Sequence, residues 1–271
     1  MRSLLFVPGH RAHMVERALA LSDLDVAILD LEDGVPAAEK DSARRLVASV
    51  LGRQHRGPRR FVRVSRAGTP EHEADLAAVT DRADGVVLSK AERPEDVGDL
   101  VRRISDVPVI AAIESARGLI AAPAIAAASP AFLLGLMFGA EDFANDLGLP
   151  AGLDAGAREM LYARSAIAIA AAAGGVDAFD GVWTDIADLD GLRRDAESAR
   201  RLGFRGKSII HPSHVAVVNA VFSPRADELA WARRVVEAAD RAERDGRAAI
   251  ALDGQLIDPP VVARARRMLG S

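Results

Sequence analysis

The chain has 271 residues, 49% of them apolar and 27% charged, with a formal net charge of −4, a length that suits one α/β barrel domain. Arginines interleave with acids along stretches such as 188–201, without the clustered Lys/Arg excess of a nucleic-acid footprint. There is no cysteine, which excludes disulfides, zinc–thiolate sites and thiol nucleophiles, and the opening run Met1–Gly9 is too short for a signal sequence or a membrane span. A cytoplasmic protein with neither a nucleic-acid nor a membrane partner is expected.

Short apolar runs alternate with amphipathic segments along the chain. Strands are predicted at Leu4–Val7, Val26–Leu31, Arg60–Val64, Gly85–Ser89, Val109–Ile113, Phe132–Met137, Gly181–Thr184 and Ser208–Ile210. The helices between them are predicted at Ala12–Leu21, Ala37–Leu51, Glu71–Thr80, Pro94–Ile104, Leu119–Ala128, Gly156–Ala173 and Leu189–Leu202. Val215–Val221 and a long helix, Asp227–Asp245, follow the eighth strand. Strands that are apolar on both faces imply a buried parallel sheet. Eight strand–helix units in this length predict a (β/α)8 TIM barrel over 1–222. No Gly-rich phosphate loop follows the first strand, which counts against a dinucleotide-binding sheet. Residues 223–271 form a C-terminal helical/hairpin extension: Asp253-Gly254 marks a turn between Ala248–Leu252 and Gln255–Asp258, and Pro259-Pro260 opens a last helix.

Barrel enzymes place their chemistry at the C-terminal ends of the strands. Strand two ends Asp30-Leu31-Glu32-Asp33-Gly34, strand three carries Arg63, and strand four runs into Lys90. Strand five ends at Glu114, strand six at Glu141-Asp142 and strand eight at His211-Pro212. Glu114 and Asp142 are expected to share one Mg2+, with Mn2+ as the alternative, leaving four octahedral positions to water and substrate oxygens. Zinc would prefer His or Cys, and His211 is the only histidine well placed at a strand end. Such a metal acts as a Lewis acid toward a 2-oxo or 2-hydroxy acid. Arg63 offers a planar fork to a substrate oxyanion, or else pairs inside the barrel with Asp30 or Glu32. Those two acids, Lys90 and Glu141 would orient the ligands from behind. Only three lysines occur, Lys40, Lys90 and Lys207. Lys90 neutralises the carboxylates or, less in keeping with a metal site, forms a Schiff base.

Leu5-Phe6-Val7-Pro8-Gly9, Leu29-Asp30-Leu31-Glu32-Asp33-Gly34, Ala112-Ile113-Glu114-Ser115-Ala116-Arg117-Gly118 and Gly139-Ala140-Glu141-Asp142-Phe143 carry a wider signal. With Gly206–Pro212 and Gly254–Asp258, they resemble the citrate lyase β-subunit-like proteins of the HpcH/HpaI aldolase superfamily, relatives of malyl-CoA and citramalyl-CoA lyases. The resemblance covers nearly the whole chain. It implies a Mg2+-dependent carbon–carbon lyase that cleaves or forms a 3-hydroxyacyl thioester carried on CoA or an acyl carrier protein. It also implies Glu114 and Asp142 as metal ligands, and Arg63 as the group holding the oxo acid and the thioester oxygen. Asp258 would enter a neighbouring subunit's site and handle the enolate proton, within a homotrimer or homohexamer. Ser65 stands where Asn is usual, and Leu88-Ser89-Lys90-Ala91-Glu92-Arg93 replaces Leu-Pro-Lys-Val-Glu-Ser, changes that bear on carrier and substrate recognition. The rival readings are a class II aldolase acting on free hydroxy-oxo acids and a non-catalytic metabolite-binding barrel.

Overall fold

Val-, Ile- and Leu-rich runs of four to six residues cannot leave either face in water, and a closed parallel barrel buries both. In a computed structural model, six such runs and two more polar strands, β7 and β8, form that barrel in sequential order: β1 Ser3–Pro8, β2 Val26–Asp30, β3 Arg59–Val64, β4 Gly85–Leu88, β5 Val109–Ile113, β6 Leu133–Phe138, β7 Asp177–Asp180 and β8 Gly206–Ile209. The structure describes residues 1–79, 82–104, 107–150, 158–244 and 250–270. The predicted element ends at Thr80, Gly156, Asp245 and Ala248 lie outside them.

The helices of this unit are α1 Ala12–Leu19, α2 Lys40–Leu51, α3 Pro70–Ala78, α4 Pro94–Ile104, α5 Ala116–Ala126, α6 Ala140–Asp146, α7 Arg158–Gly174, α8 Leu189–Leu202 and α9 His214–Phe222. Alternation divides each strand between two cores. Leu4, Val26, Ile28, Phe61, Val87, Ile110, Ala112, Met137 and Phe179 fill the barrel interior. Their neighbours, such as Leu5, Leu29, Val62 and Leu136, pack outward against the helices. Bulk is matched across strands: a Cβ on Gly85 would lie 2.3 Å from the Phe61 ring, and one on Gly135 would lie 2.7 Å from Phe179.

Two features depart from the sequence reading. The seventh strand is Asp177–Asp180, and the predicted Gly181–Thr184 forms the loop beyond it. Its aspartates disguised it, because Asp180 is buried on the outward face, where an ion network neutralises it. Arg164 of α7 donates to Asp180 at 2.9 and 3.0 Å and to Asp195 of α8 at 3.0 Å. The Lys207 ammonium of β8 donates to Asp180 at 2.6 Å and to Asp195 at 2.5 Å. The second departure is α6, a seven-residue helix too short and too polar to show an amphipathic period.

Residues 223–271 form a second compact unit. It contains α10 Ala226–Arg244, a hairpin of β9 Ile250–Leu252 and β10 Gln255–Ile257, and α11 Pro259–Leu269. Ala232, Val235, Ile257 and Ala265 form its small core. No helix among the described residues is long and apolar enough to cross a membrane.

Removing one member of a buried ion network leaves its partners as uncompensated charges. Lys207→Met is therefore expected to destabilise the protein by about 3–5 kcal/mol, read from the urea-unfolding midpoint. A midpoint unchanged from wild type would contradict the network's role in joining β7 and β8 to α7 and α8.

Candidate active site

The alternation that fills the barrel also builds the site. Val26 and Ile28 point inward, and Asp30 follows at the same two-residue spacing; Phe61 leads likewise to Arg63, and Ile110 and Ala112 lead to Glu114. The top layer of the interior is therefore ionic, resting on an apolar plug. Asp30, Glu32 and Glu114 are buried.

Arg63 is held by a bidentate pair, its Nε donating to Asp30 Oδ1 and its Nη2 to Oδ2, both at 2.7 Å. Its Nη1 lies 3.1 Å from Glu32 Oε2, and its guanidinium stacks 4.7 Å from the centre of the Phe6 ring. Asp30 also accepts from the backbone N–H groups of Glu32 and Gly34, at 2.9 Å each. One carboxylate thus folds the 30–34 loop and aims the arginine. The pairing of Arg63 with Asp30 and Glu32, weighed from sequence as an alternative to ligand binding, is present, and it leaves part of the guanidinium free. Three of its five N–H groups are engaged here, so two remain.

Lys90 follows β4 with a left-handed backbone, φ 52°. Its ammonium donates to Glu32 Oε1 at 2.6 Å and Asp33 Oδ2 at 2.7 Å, and lies 3.9 Å from Asp142. Its backbone N–H donates to Glu114 Oε2 at 2.9 Å. Burial alone would lower the Lys90 pKa, but its bonds to Asp33 and Glu32 hold it well above the usual lysine value. An ammonium held in its charged form by two carboxylates is a poor imine-forming nucleophile, which counts against the Schiff-base reading.

Asp142 does not end a strand. It sits in the first turn of α6, four residues beyond β6, where the helix N-terminus favours a carboxylate. Between them Gly139 allows Glu114 its place: a Cβ there would lie 2.4 Å from Glu114 Cγ and 2.8 Å from Oε1. Glu141 points elsewhere. It lines a cavity of about 80 Å3 shared with Phe138, Met160, Arg164, Asp180 and Trp183. His211 is half-buried and hydrogen-bonded to Ser213 at 2.7 Å. Asp258, in the second unit, N-caps α11 by accepting from the Val261 N–H at 3.3 Å.

Two participants were missed from sequence. Asp33 was read with its motif but given no role, although it is one of the two close carboxylates on Lys90. Lys40 donates to the backbone carbonyls of Leu31 and Glu32, both at 2.6 Å, and its signal was a lone lysine in an arginine-rich chain.

The cluster gathers five carboxylates, Asp30, Glu32, Asp33, Glu114 and Asp142, around two cations, Arg63 and Lys90. Burial pushes the Glu114 carboxyl up to about 7; Arg63 opposes the shift, and Glu32 and Asp142 add to it. Burial likewise raises Glu32. Among the described residues, no three His, Asp or Glu side chains are drawn into a metal-ligating set.

A closed parallel barrel with an ionic cluster at its C-terminal strand ends is the arrangement of a barrel enzyme. The family model described as HpcH/HpaI aldolase/citrate lyase matches residues 2–212. Citrate lyase subunit beta of Leuconostoc mesenteroides subsp. cremoris is 37% identical, covering 99% of this chain and 92% of that protein. A (3S)-malyl-CoA thioesterase of Cereibacter sphaeroides is 36% identical, covering 99% of this chain and 93% of that protein. The crystal structure of Mycobacterium tuberculosis CitE in complex with magnesium, acetoacetate and coenzyme A superposes with a TM-score of 0.83 at 37% identity, covering 99% of this chain and 97% of that one. The chain belongs to the HpcH/HpaI aldolase/citrate lyase family, and its class is that of the carbon–carbon lyases.

The raised Glu114 pKa has a consequence in metal-free protein. The group goes from 4.5 to about 7 on folding, so its stabilising neutral form is fully present below 4.5 and lost as pH rises through 7. EDTA-treated wild type is expected to lose melting temperature between pH 5 and 8 more steeply than Glu114→Gln. Identical slopes for the two proteins would contradict the assignment.

Proposed function

We propose that this protein is a Mg2+-dependent lyase that cleaves or forms a 3-hydroxyacyl thioester, yielding an oxo acid and an acyl thioester on CoA or an acyl carrier protein. The observation that carries the reading is the surplus of carboxylate around a buried Glu114, whose charge a divalent cation would compensate. Glu114 and Asp142 fit as the two ligands, since oxygen donors with open positions suit Mg2+ better than zinc. A related structure is described with magnesium, acetoacetate and coenzyme A.

In cleavage, a general base takes the 3-hydroxyl proton, the C2–C3 bond breaks and C3 becomes the carbonyl of the oxo acid. The electron pair passes into the thioester enolate, which is then protonated at C2. A bound Mg2+ supplies Lewis-acid polarisation of the oxo acid. Arg63, locked by Asp30, presents its two remaining N–H groups to the oxo-acid and thioester oxygens where negative charge develops. Lys90 and Glu32 keep Arg63 and the ligand carboxylates apart and oriented. Asp258, from the tail of a neighbouring subunit in a homotrimer or homohexamer, moves the proton at C2.

A second reading is thioester hydrolysis, favoured by the 36% identical (3S)-malyl-CoA thioesterase. Incubating wild type with malyl-, citramalyl- and 3-hydroxy-3-methylglutaryl-CoA and with free hydroxy-oxo acids separates the readings. Oxo acid released with an acyl thioester supports the lyase, whereas free CoA with an intact hydroxy acid supports the hydrolase. Turnover of free acids alone would make it a class II aldolase. EDTA, Glu114→Ala and Asp142→Ala are each expected to lower lyase turnover at least a thousandfold; full activity in either variant would sink the metal assignment.

Asp258→Asn is expected to reduce turnover about a hundredfold or more while leaving Mg2+ binding intact. Mixed and reassembled with Arg63→Ala protein, it should regain activity, because some sites then pair a native tail with a native barrel. No recovery on mixing would place Asp258 in its own subunit's site or outside the reaction.

A further inference from the structure

The chain uses 32 arginines and only three lysines, so it keeps an ammonium where a guanidinium will not serve. Each lysine occupies the same kind of place. Lys207 bridges Asp180 and Asp195 at 2.6 and 2.5 Å, and Lys90 bridges Glu32 and Asp33 at 2.6 and 2.7 Å. Lys40 bridges the carbonyls of Leu31 and Glu32, at 2.6 Å to both. A compact donor converging on two closely set oxygens is what a lysine supplies and a planar fork does not. The first two sit in ionic clusters. The third touches only backbone, and no step derived above uses it.

Its position is also electrostatically costly. Lys40 is the first residue of α2, where the helix dipole disfavours a cation, so something other than the helix must retain it. What it holds is the chain between Asp30 and Val35. The Leu31 N–H donates to the Arg63 carbonyl at 3.0 Å while the Leu31 carbonyl accepts from Lys40. The Leu31 backbone is therefore clamped between the arginine's own strand and the lysine. The Glu32 carbonyl accepts from Lys40 and from the Val35 N–H, at 2.6 and 3.0 Å. Its carboxylate, at the other end of the residue, lies 2.6 Å from Lys90 and 3.1 Å from Arg63. Glu32 is thus fixed at both ends, and the end away from the site is fixed by Lys40.

We propose that Lys40 is a positioning residue of the active site: by clamping the carbonyls of Leu31 and Glu32 it sets the Glu32 carboxylate, and through it Arg63 and Lys90, in the orientation that meets the oxo acid. The assignment rests on the proposed site, and its test is built to fail separately from that function. Lys40→Met, Lys40→Arg, Glu32→Gln and the Lys40→Met/Glu32→Gln double variant are compared with wild type. The readouts are melting temperature, calorimetric Kd for pyruvate with saturating Mg2+, and kcat and KM on whichever thioester wild type cleaves.

Lys40→Met is expected to keep a melting temperature within a few degrees of wild type, to bind pyruvate about tenfold more weakly, and to lower kcat by a similar factor with little change in thioester KM. The double variant should be no more than about twofold worse than Glu32→Gln alone, because both act through one carboxylate. Lys40→Arg should stay close to Lys40→Met. If wild type cleaves none of the thioesters, the lyase reading fails, while pyruvate affinity still decides the role of Lys40. The proposal is overturned if Lys40→Met loses melting temperature with pyruvate Kd and kcat unchanged, if losses multiply in the double variant, or if Lys40→Arg restores wild-type behaviour.

Discussion

Negative charge concentrated on top of an apolar barrel interior is the constraint from which the rest of the site follows. Five carboxylates meet two cations in a space where Asp30, Glu32 and Glu114 are shielded from water. Burying an uncompensated carboxylate is expensive, and two responses are visible. The Asp30–Arg63 fork settles part of the charge through two bonds of 2.7 Å. Glu114 keeps the rest as a raised pKa, its carboxyl pushed up to about 7 by burial.

The barrel turns this into geometry by continuing its own repeat. The inward positions of β2, β3 and β5 run from Val, Ile, Phe and Ala directly to Asp30, Arg63 and Glu114. Functional side chains therefore inherit the rigidity of the packed layers beneath them, which loops alone would not give. Asp142 reaches the same centre by another route, on the first turn of α6, and Gly139 between β6 and α6 leaves the space that Glu114 fills. The opposite, outward face of the barrel solves its own charge problem separately, with Arg164, Asp180, Asp195 and Lys207 compensating one another.

The family sets the class of the chain, a carbon–carbon lyase, without setting its substrate. Relatives at closely similar identity carry the names citrate lyase subunit beta and (3S)-malyl-CoA thioesterase.

The eight-unit architecture was legible because hydrophobic periodicity is a local property, and β5, α4 and α8 fall on their predicted spans, Val109–Ile113, Pro94–Ile104 and Leu189–Leu202. The acids, the arginine and the lysine at the strand ends were legible too, since a polar residue directly after an apolar run stands out in one dimension. The sequence alone also marked three lysines among 32 arginines, without saying what any of them touched. Tertiary structure decided the rest. It moved the seventh strand to Asp177–Asp180, because the partners that neutralise Asp180 lie 16 residues before it and 27 after it. It set Glu141 on a cavity lined by Met160, Arg164 and Trp183 and Asp142 beside Lys90, because neighbours on a helix point in different directions. It also assigned Lys40 to backbone carbonyls eight and nine residues earlier. These are properties of where the chain returns in space, and no local pattern encodes the return.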